Sequence, residues 1–493
     1  MKATHSPLPP GHPRVLWAFL ATAITAATGC AEIPHLGPAP SLKPIEQLES
    51  AKSFTSSPAA AWPGDHWWEA YGDPQLNALI EEALRGSPDL AAAQARLRLA
   101  GAAVEGASAA HLPEVTGNAS FTGDKQSYNY LIPRAALPQG WNDYGRATLN
   151  LSWELDFWGK NRAALAAATS EQRAAQAELA QTRLVLSTSV ASAYAELLHL
   201  FMVRDSDQAA LDIRTKTVDL FRERHDHGLE NLASVRQVEA RQASARAELL
   251  AIDERIALQR NAIAALLGAG PDRGLAITRP SARFAGTVGL PPNLALELVG
   301  RRPDIVAARL RAEATARRID QRKAGFYPSV NLLSFVGLQS LGIDNLIKGG
   351  SDAGSIGPAI SLPIFNTRRL QGQLRGARAE YDEAVASYDA TLSNALREVA
   401  DAAVSRKALD AELAASRAAV EAASEAHDIV NRRYQGELAT YLDVLTAEDV
   451  LISARRSLAD IDARALVLDV ALVRALGGGF LNGDKTFASA NHT

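Results

Sequence analysis

The chain has 493 residues, a formal net charge of -4 and a pI near 6.2, so nothing in its charge balance marks it as a nucleic-acid binder. Its single cysteine excludes an intrachain disulfide. Aromatic residues make up only 6 %, and the abundance of Ala, Leu, Glu and Arg is the composition of long helices rather than of an all-β domain.

Lys2 and Arg14 precede an apolar run from Val15 to Ala27, which leads into Ala27-Thr28-Gly29-Cys30. That run is shorter than the roughly 20 residues a spanning helix needs, so residues 1–29 read as a signal peptide. Small residues directly before a lone cysteine resemble a bacterial lipobox, with Ala27 where Leu is usual. The resemblance implies that Cys30 becomes the mature N-terminus and carries acyl chains such as palmitate. Each buried CH₂ contributes about 0.8 kcal/mol, and two or more chains anchor a protein firmly. Ala31 stands where an Asp would resemble an inner-membrane retention signal, which points to the outer membrane. Residues 30–66 are rich in Pro, Ser and Ala and read as a lipidated extended tether.

Beyond the tether the chain repeats itself. Pro88-Asp89-Leu90 recurs as Pro303-Asp304-Ile305, an offset of 215, while Val190 recurs as Val399, Glu239 as Glu448 and Leu267-Gly268 as Leu476-Gly477, an offset of 209. A constant offset marks a duplicated unit. The first repeat occupies residues 67–287 and the second 288–479; residues 480–493 form a loose tail.

In the first repeat, short helices lead to a strand at about 114–123, where Val115, Gly117, Ala119 and Phe121 alternate with polar residues. A loop with Tyr128, Tyr130, Pro133 and Trp141 follows. The second strand, about 145–157, carries Ala147, Leu149, Leu151, Trp153, Leu155 and Phe157 on one face. Its other face carries Arg146, Thr148, Asn150, Ser152, Glu154 and Asp156. Some ten residues of such alternation is the signature of a transmembrane β-strand, with Trp153, Phe157 and Trp158 placed for an interfacial girdle. Residues 160–226 contain no Pro or Gly and predict one helix on the order of 100 Å long. A break at His227-Gly228-Leu229 precedes a return helix over 231–268. The second repeat predicts strands at about 328–339 and 355–364, a long helix over 368–435 with a coiled-coil seam, and a return helix over 440–476. Pro358 and Pro363 would be odd in a central strand, and residues 330–339 alternate poorly.

Four strands cannot close a barrel, and open edges are not tolerated in lipid. Three copies supply twelve strands with quasi-sixfold symmetry. The fold class is therefore mainly α with transmembrane β. Its form is a trimeric 12-stranded barrel continuous with a long periplasmic helical barrel of antiparallel coiled coils. The competing reading is a lipid-anchored periplasmic coiled-coil protein, structural or adaptor-like, whose strands form a soluble domain.

Several ordered motifs now carry a resemblance: Trp67-Trp68-Glu69-Ala70-Tyr71-Gly72-Asp73-Pro74, Trp153-Glu154-Leu155-Asp156-Phe157-Trp158-Gly159, Leu290-Pro291-Pro292 with Arg301-Arg302-Pro303-Asp304-Ile305, Ala324-Gly325-Phe326-Tyr327-Pro328, and Leu362-Pro363-Ile364-Phe365. Together they resemble the TolC-like outer-membrane efflux factors, in the lipoprotein branch paired with RND-type pumps. The resemblance implies a homotrimeric exit duct that docks onto a periplasmic adaptor and, through it, an inner-membrane pump. It implies no catalytic residue and no cofactor beyond the lipid on Cys30. The chain departs from the family at Arg368, where Gly is usual. Glu437, not Gly436, aligns with Gly228, so the second tip is expected to differ in shape.

By the same resemblance, Asp428 falls where the family carries an acidic ring near the second tip. Glu425 lies one turn back, and Arg432 and Arg433 lie within a turn. These four are gate candidates; the competing reading is a solvated helix face with i,i+4 pairs. Leu229, Leu232, Val235, Leu438, Leu442 and Val444 are adaptor-docking candidates, against packing between the paired helices. His225-Asp226-His227 makes no metal site, because residues at i and i+2 do not share a helix face.

Overall fold

A computed structural model describes residues 32–49, 54, 60–129, 133–281, 290, 291 and 294–481. The signal peptide, Cys30, Tyr130 and tail residues 482–493 lie outside the described residues. The elements in order are α1 (Pro74–Gly86), α2 (Pro88–Ala109), β1 (Glu114–Asp124), β2 (Asn142–Leu155), α3 (Lys160–Asp226), α4 (Leu232–Leu266) and the short α5 (Asp272–Leu275). They continue with α6 (Leu294–Arg301), α7 (Pro303–Ala324), β3 (Ser329–Leu341), β4 (Asp352–Ser361), α8 (Thr367–Gln435) and α9 (Tyr441–Ala475).

Two compact units result. One takes the described residues up to Ser41 together with Arg98–Arg173 and Leu310–Ala386; the other takes Leu42–Leu97, Ala174–Arg309 and the described residues from Ser387 onward. The units cut across the repeats. Each repeat gives its strand pair to the first unit and its helical hairpin to the second, so no repeat folds as a body of its own.

The first unit is built on an antiparallel sheet in the order β1-β2-β3-β4. β2 and β3 join the two repeats in register, from Tyr144 opposite Leu341 to Leu155 opposite Val330. β1 and β4 each have one neighbour and are the edges. Pro358 sits in β4, opposite Leu332 of β3, in a strand with one neighbour within the chain. Beneath the sheet, Leu36 of the tether packs on Ile319, Phe326, Leu370, Leu374 and Ala377. The tether is held rather than loose. Gln371 Nε2 donates to the Glu32 carbonyl at 3.1 Å, Tyr381 Oη donates to the Pro40 carbonyl at 3.0 Å, and Arg378 donates to the Pro38 carbonyl.

The second unit begins with local chemistry that dictates its helices. Asp73 caps α1 by accepting from the Gln75 and Leu76 amides, and Pro74 takes the first turn, where its missing N–H costs nothing. Leu76, Leu79, Ile80 and Ala83 then place one stripe into the core. α3 contains a stretch apolar and long enough to cross a bilayer, but 56 % of it is buried in the protein. Leu186, Val190, Tyr194 and Leu197 from that stretch pack with α1, α4 and α9, which accounts for the hydrophobicity. Gly268 and Gly477, equivalent in the two repeats, have φ of 72° and 91°. A Cβ on Gly268 would come within 2.5 Å of the Gly86 carbonyl, and one on Gly477 within 2.1 Å of the Arg301 carbonyl. Each return helix thus ends in a glycine because its last turn presses on the end of a preceding short helix.

The two tips correct one expectation. At the first, Gly228 N donates to His225 O and Leu229 N to Arg224 O; at the second, Glu437 N donates to Tyr434 O and Leu438 N to Arg433 O. The hydrogen bonding is the same Schellman pattern, shifted by the repeat offset. Glu437 adopts φ 61°, the left-handed conformation of Gly228, and is the one non-glycine to do so among the described residues. The second turn is not reshaped by losing its glycine, because the Schellman bonds hold a side-chain-bearing residue in place at a cost of about 1–2 kcal/mol. Glu437→Gly should release that strain and slow hydrogen exchange at the Leu438 amide by roughly fivefold, about 1 kcal/mol; unchanged exchange would show that the turn is unstrained.

Candidate functional site

The sheet presents two chemically distinct faces. Register places Val115 beside Leu151 and Gly117 beside Leu149, continuing to Val336, with Ile356 and Ile360 on the same face of β4. Phe121, Leu149, Val336, Ile356 and Ile360 are all exposed. The opposite face carries Thr116 beside Asn150 and Asn118 beside Thr148. The poor alternation of β3 is resolved here. Leu332, Val336 and Leu338 share the apolar face, while Leu333 and Phe335 lie on the polar one. At the strand ends, Trp153 Nε1 donates to the His111 carbonyl at 3.0 Å and Trp158 Nε1 to the Pro328 carbonyl at 2.8 Å. Trp158 also stacks on Tyr327 with centroids 4.7 Å apart. Phe157 and Trp158 follow β2 rather than forming part of it.

The helical tips form a second locus. Val218, Phe221, Val235, Val238, Tyr434, Val444 and Leu445 make a small core that ties one hairpin to the other. Tyr434 stacks on Phe221, lies under the Arg224 guanidinium at 4.7 Å and donates its hydroxyl to Glu230 at 2.7 Å. Burial and the Glu230 carboxylate both push the Tyr434 phenol up. Sequence reasoning missed Tyr434 and Glu230. The signal was a tyrosine at the end of an otherwise charged helix, where its equivalent in the first repeat is His225.

Of the docking candidates, Leu229, Leu232, Leu438 and Leu442 are exposed. Val235 and Val444 are corrected. They are 5 % and 1 % exposed and belong to the tip core, because a helix turns their positions inward. Of the gate candidates, Glu425, Asp428 and Arg432 line one groove of about 580 Å³ with Arg417, Glu421 and Leu458. Arg432 Nε donates to the backbone carbonyl of Asp428 at 3.2 Å and leaves that carboxylate exposed. Arg433 is turned away, donating to the Leu438 carbonyl at 3.2 Å and closing its own turn.

Behind the tips lies a buried charge network that the sequence did not suggest. Glu448 of α9 is 1 % exposed; it accepts from Thr217 Oγ1 at 3.3 Å and lies 3.5 Å from Arg214 Nε, both on α3. Arg214 Nη1 also donates to the Arg241 carbonyl on α4, and Arg241 pairs with Asp449 at 2.8 Å. Burial raises the Glu448 carboxyl above its ordinary range, against Arg214 and Thr217, which lower it. Its repeat equivalent Glu239 is instead paired with Arg222 and Arg236. Among the described residues no group of three or more His, Cys, Asp or Glu could hold a metal ion.

A family model described as "Outer membrane efflux protein" matches residues 79–269 and 294–478. The two segments are displaced by the same 215 and 209 residues at their starts and ends as the internal repeat. The multidrug resistance outer membrane protein MdtP of Escherichia coli K12 is 30 % identical over 478 residues, 95 % of this chain and 97 % of its own. The fusaric acid resistance protein FusA of Burkholderia cepacia is 34 % identical over 369 residues, 73 % of this chain and 69 % of its own. Among solved structures, the outer membrane protein VceC of Vibrio cholerae is 49 % identical and superposes with a TM-score of 0.81 over 85 % of this chain and all of its own.

A carboxyl whose native pKa lies above its unfolded value binds more protons folded than unfolded, so its contribution to stability falls as pH rises from the unfolded pKa through the native one. Protection of the α9 amides around Glu448, corrected for intrinsic exchange, should therefore fall as pH rises above about 4.5, the unperturbed value. Glu448→Gln should flatten that slope; an unaltered slope would remove Glu448 as its source.

Proposed function

The chain belongs to the outer membrane efflux protein family, and on that premise we propose that it works as a passive homotrimeric exit duct fed by a periplasmic adaptor and an energised inner-membrane pump. It is an outer-membrane efflux channel with a TolC-like fold: mostly helical, with one four-stranded antiparallel sheet per chain. The observation that carries the proposal is the sheet. It is apolar on one face and polar on the other, with both edge strands unpaired within the chain. In hydrocarbon each unpaired backbone group costs several kcal/mol, so β1 of one copy must meet β4 of the next. Three copies give the even, twelve-stranded closure, with the polar face toward a wet lumen. The long helices of the three copies line the periplasmic part of the duct.

Chemistry enters only as steering and sealing. The energy comes from the pump, and the chain supplies neither catalysis nor a cofactor; acylation at Cys30 adds a second hold on the outer membrane. MdtP and FusA are named for resistance to drugs and to fusaric acid. They support small toxic organic molecules as the substrate class here. Glu425, Asp428 and Arg432, which share one groove, form the resting seal, and the exposed Leu229, Leu232, Leu438 and Leu442 form the adaptor-docking surface.

Replacing Asp428 and Arg432 together by alanine should raise single-channel conductance in planar bilayers, and a conductance equal to wild type would remove these residues from the seal. Changing Leu229, Leu232, Leu438 and Leu442 to serine should leave trimers and conductance intact while abolishing resistance in cells that depend on this duct; retained resistance would place the docking surface elsewhere.

A further inference from the structure

The four strands contain a single Lys or Arg, Arg146 of β2. It lies on the polar face, opposite Ser120 and Gln339, and is exposed. Among the described residues no carboxylate pairs with it; its guanidinium sits 5.4 Å from the centroid of the Phe335 ring. The carboxylates of this face stand at the strand ends. Glu114 and Glu154 are at one end, Glu154 already held by Lys160 at 3.0 Å, and Asp124 is at the other. Phe335 is an aromatic ring at mid-strand on a face whose central positions are mostly Thr, Asn, Ser and Gln, with Leu333 next to it along β3 and the face's other ring, Tyr144, beside Leu341 toward the strand end. Between Phe335 and Gln339 on that face stands Gly337, opposite Thr148. A Cβ there would come within 2.2 Å of the Ala147 carbonyl, so the position is kept bare and the Arg146 side chain lies along the strand to reach the ring.

We propose that Arg146 and Phe335 form a subsite in the channel lumen for aromatic anions, repeated three times around the barrel as a collar. This rests on the reading of the polar face as the lumen. A planar guanidinium offers two N–H groups to a carboxylate in a fixed fork, and the adjoining ring offers an apolar face to the aromatic part of the same solute. Neither lysine nor a lone arginine provides both. Exposure to water keeps the affinity low, which suits a duct: a solute must be favoured enough to enter and weakly enough held to leave. Aliphatic carboxylates gain the guanidinium but not the ring, and aromatic cations gain the ring but meet the charge.

The test uses the full-length trimer in planar bilayers, with reversal potentials measured under gradients of potassium benzoate or potassium acetate. Low salt is needed, because the Debye length is about 30 Å at 0.01 M and only about 3 Å at 1 M. After correction for free-solution mobility, wild type should pass benzoate in preference to acetate by roughly twofold in the dilute solution, and both anions should lose ground to potassium in the concentrated one. Arg146→Gln should lower permeation of both anions relative to potassium. Phe335→Leu should lower benzoate alone. Should Arg146→Gln not assemble, Arg146→Lys, which keeps the charge and loses the planar fork, should lower both carboxylates relative to potassium by a smaller amount and leave the benzoate preference to Phe335. Equal treatment of the two anions by wild type, or a preference untouched by either substitution, overturns the subsite while leaving the channel standing. Absence of channel steps in wild type would instead overturn the lumen reading beneath it.

Discussion

The rest of the structure depends on the backbone groups of two edge strands. β1 and β4 each pair on one side only, and their free N–H and C=O groups face a solvent that cannot satisfy them. A soluble protein manages such edges with charge, bulges or short strands. Here the edge strands run 11 and 10 residues, and β4 carries Ile356 and Ile360 on its apolar face. Other copies of the chain must complete the ladder, and the demand for closure makes the assembly a ring. A lumen, a lipid-facing wall and a through-path follow from that single requirement.

The duplication serves the ring because a closed wall needs many similar strands and helices, and it is cheapest to encode one hairpin of each and use it twice. Both repeats reuse the same devices: Pro88 and Pro303 open α2 and α7, Gly268 and Gly477 close the return helices, and both tips use one Schellman pattern. The two copies differ in chemistry at a few matched positions. Ser87 is matched by the buried Arg302, which reaches Asp304, Glu398 and the Ala475 carbonyl, so the second repeat gains an ionic tie between α7, α8 and α9. Desolvation works against its charge, and the flanking carboxylates outweigh that and hold the guanidinium protonated. Glu239 is solvated and paired, while Glu448 is buried and uneasy. These asymmetries allow two similar hairpins to be held with different strengths.

Much of the plan was legible in the residues. The period-2 alternation of Ala147 to Phe157, the Gly- and Pro-free run from Lys160 to Asp226, and the constant offsets are local, one-dimensional signals, and the helices begin and end within a residue or two of where those signals change. β2 was less sharp, starting at Asn142 and ending at Leu155, because strand ends are decided by the partner strand and not by the strand itself. The surroundings of Arg433, Val235 and Val444 are not legible along the chain, for one reason. Their types suited a surface role, but rotation about the helix axis and the approach of a second hairpin decided what each one meets.

The sequence by itself determined the element order, the two-faced strands, the repeat and the need for partner copies, because propensity, periodicity and edge count are properties of the chain read along its length. Only the tertiary structure decided that Glu437 takes a glycine's conformation, that Glu448 is buried beside Arg214, that Tyr434 closes on Glu230, and that Arg146 lies against Phe335. Each of those depends on residues far apart in sequence being brought within a few ångströms, and no periodicity along one strand or helix specifies which distant neighbour arrives.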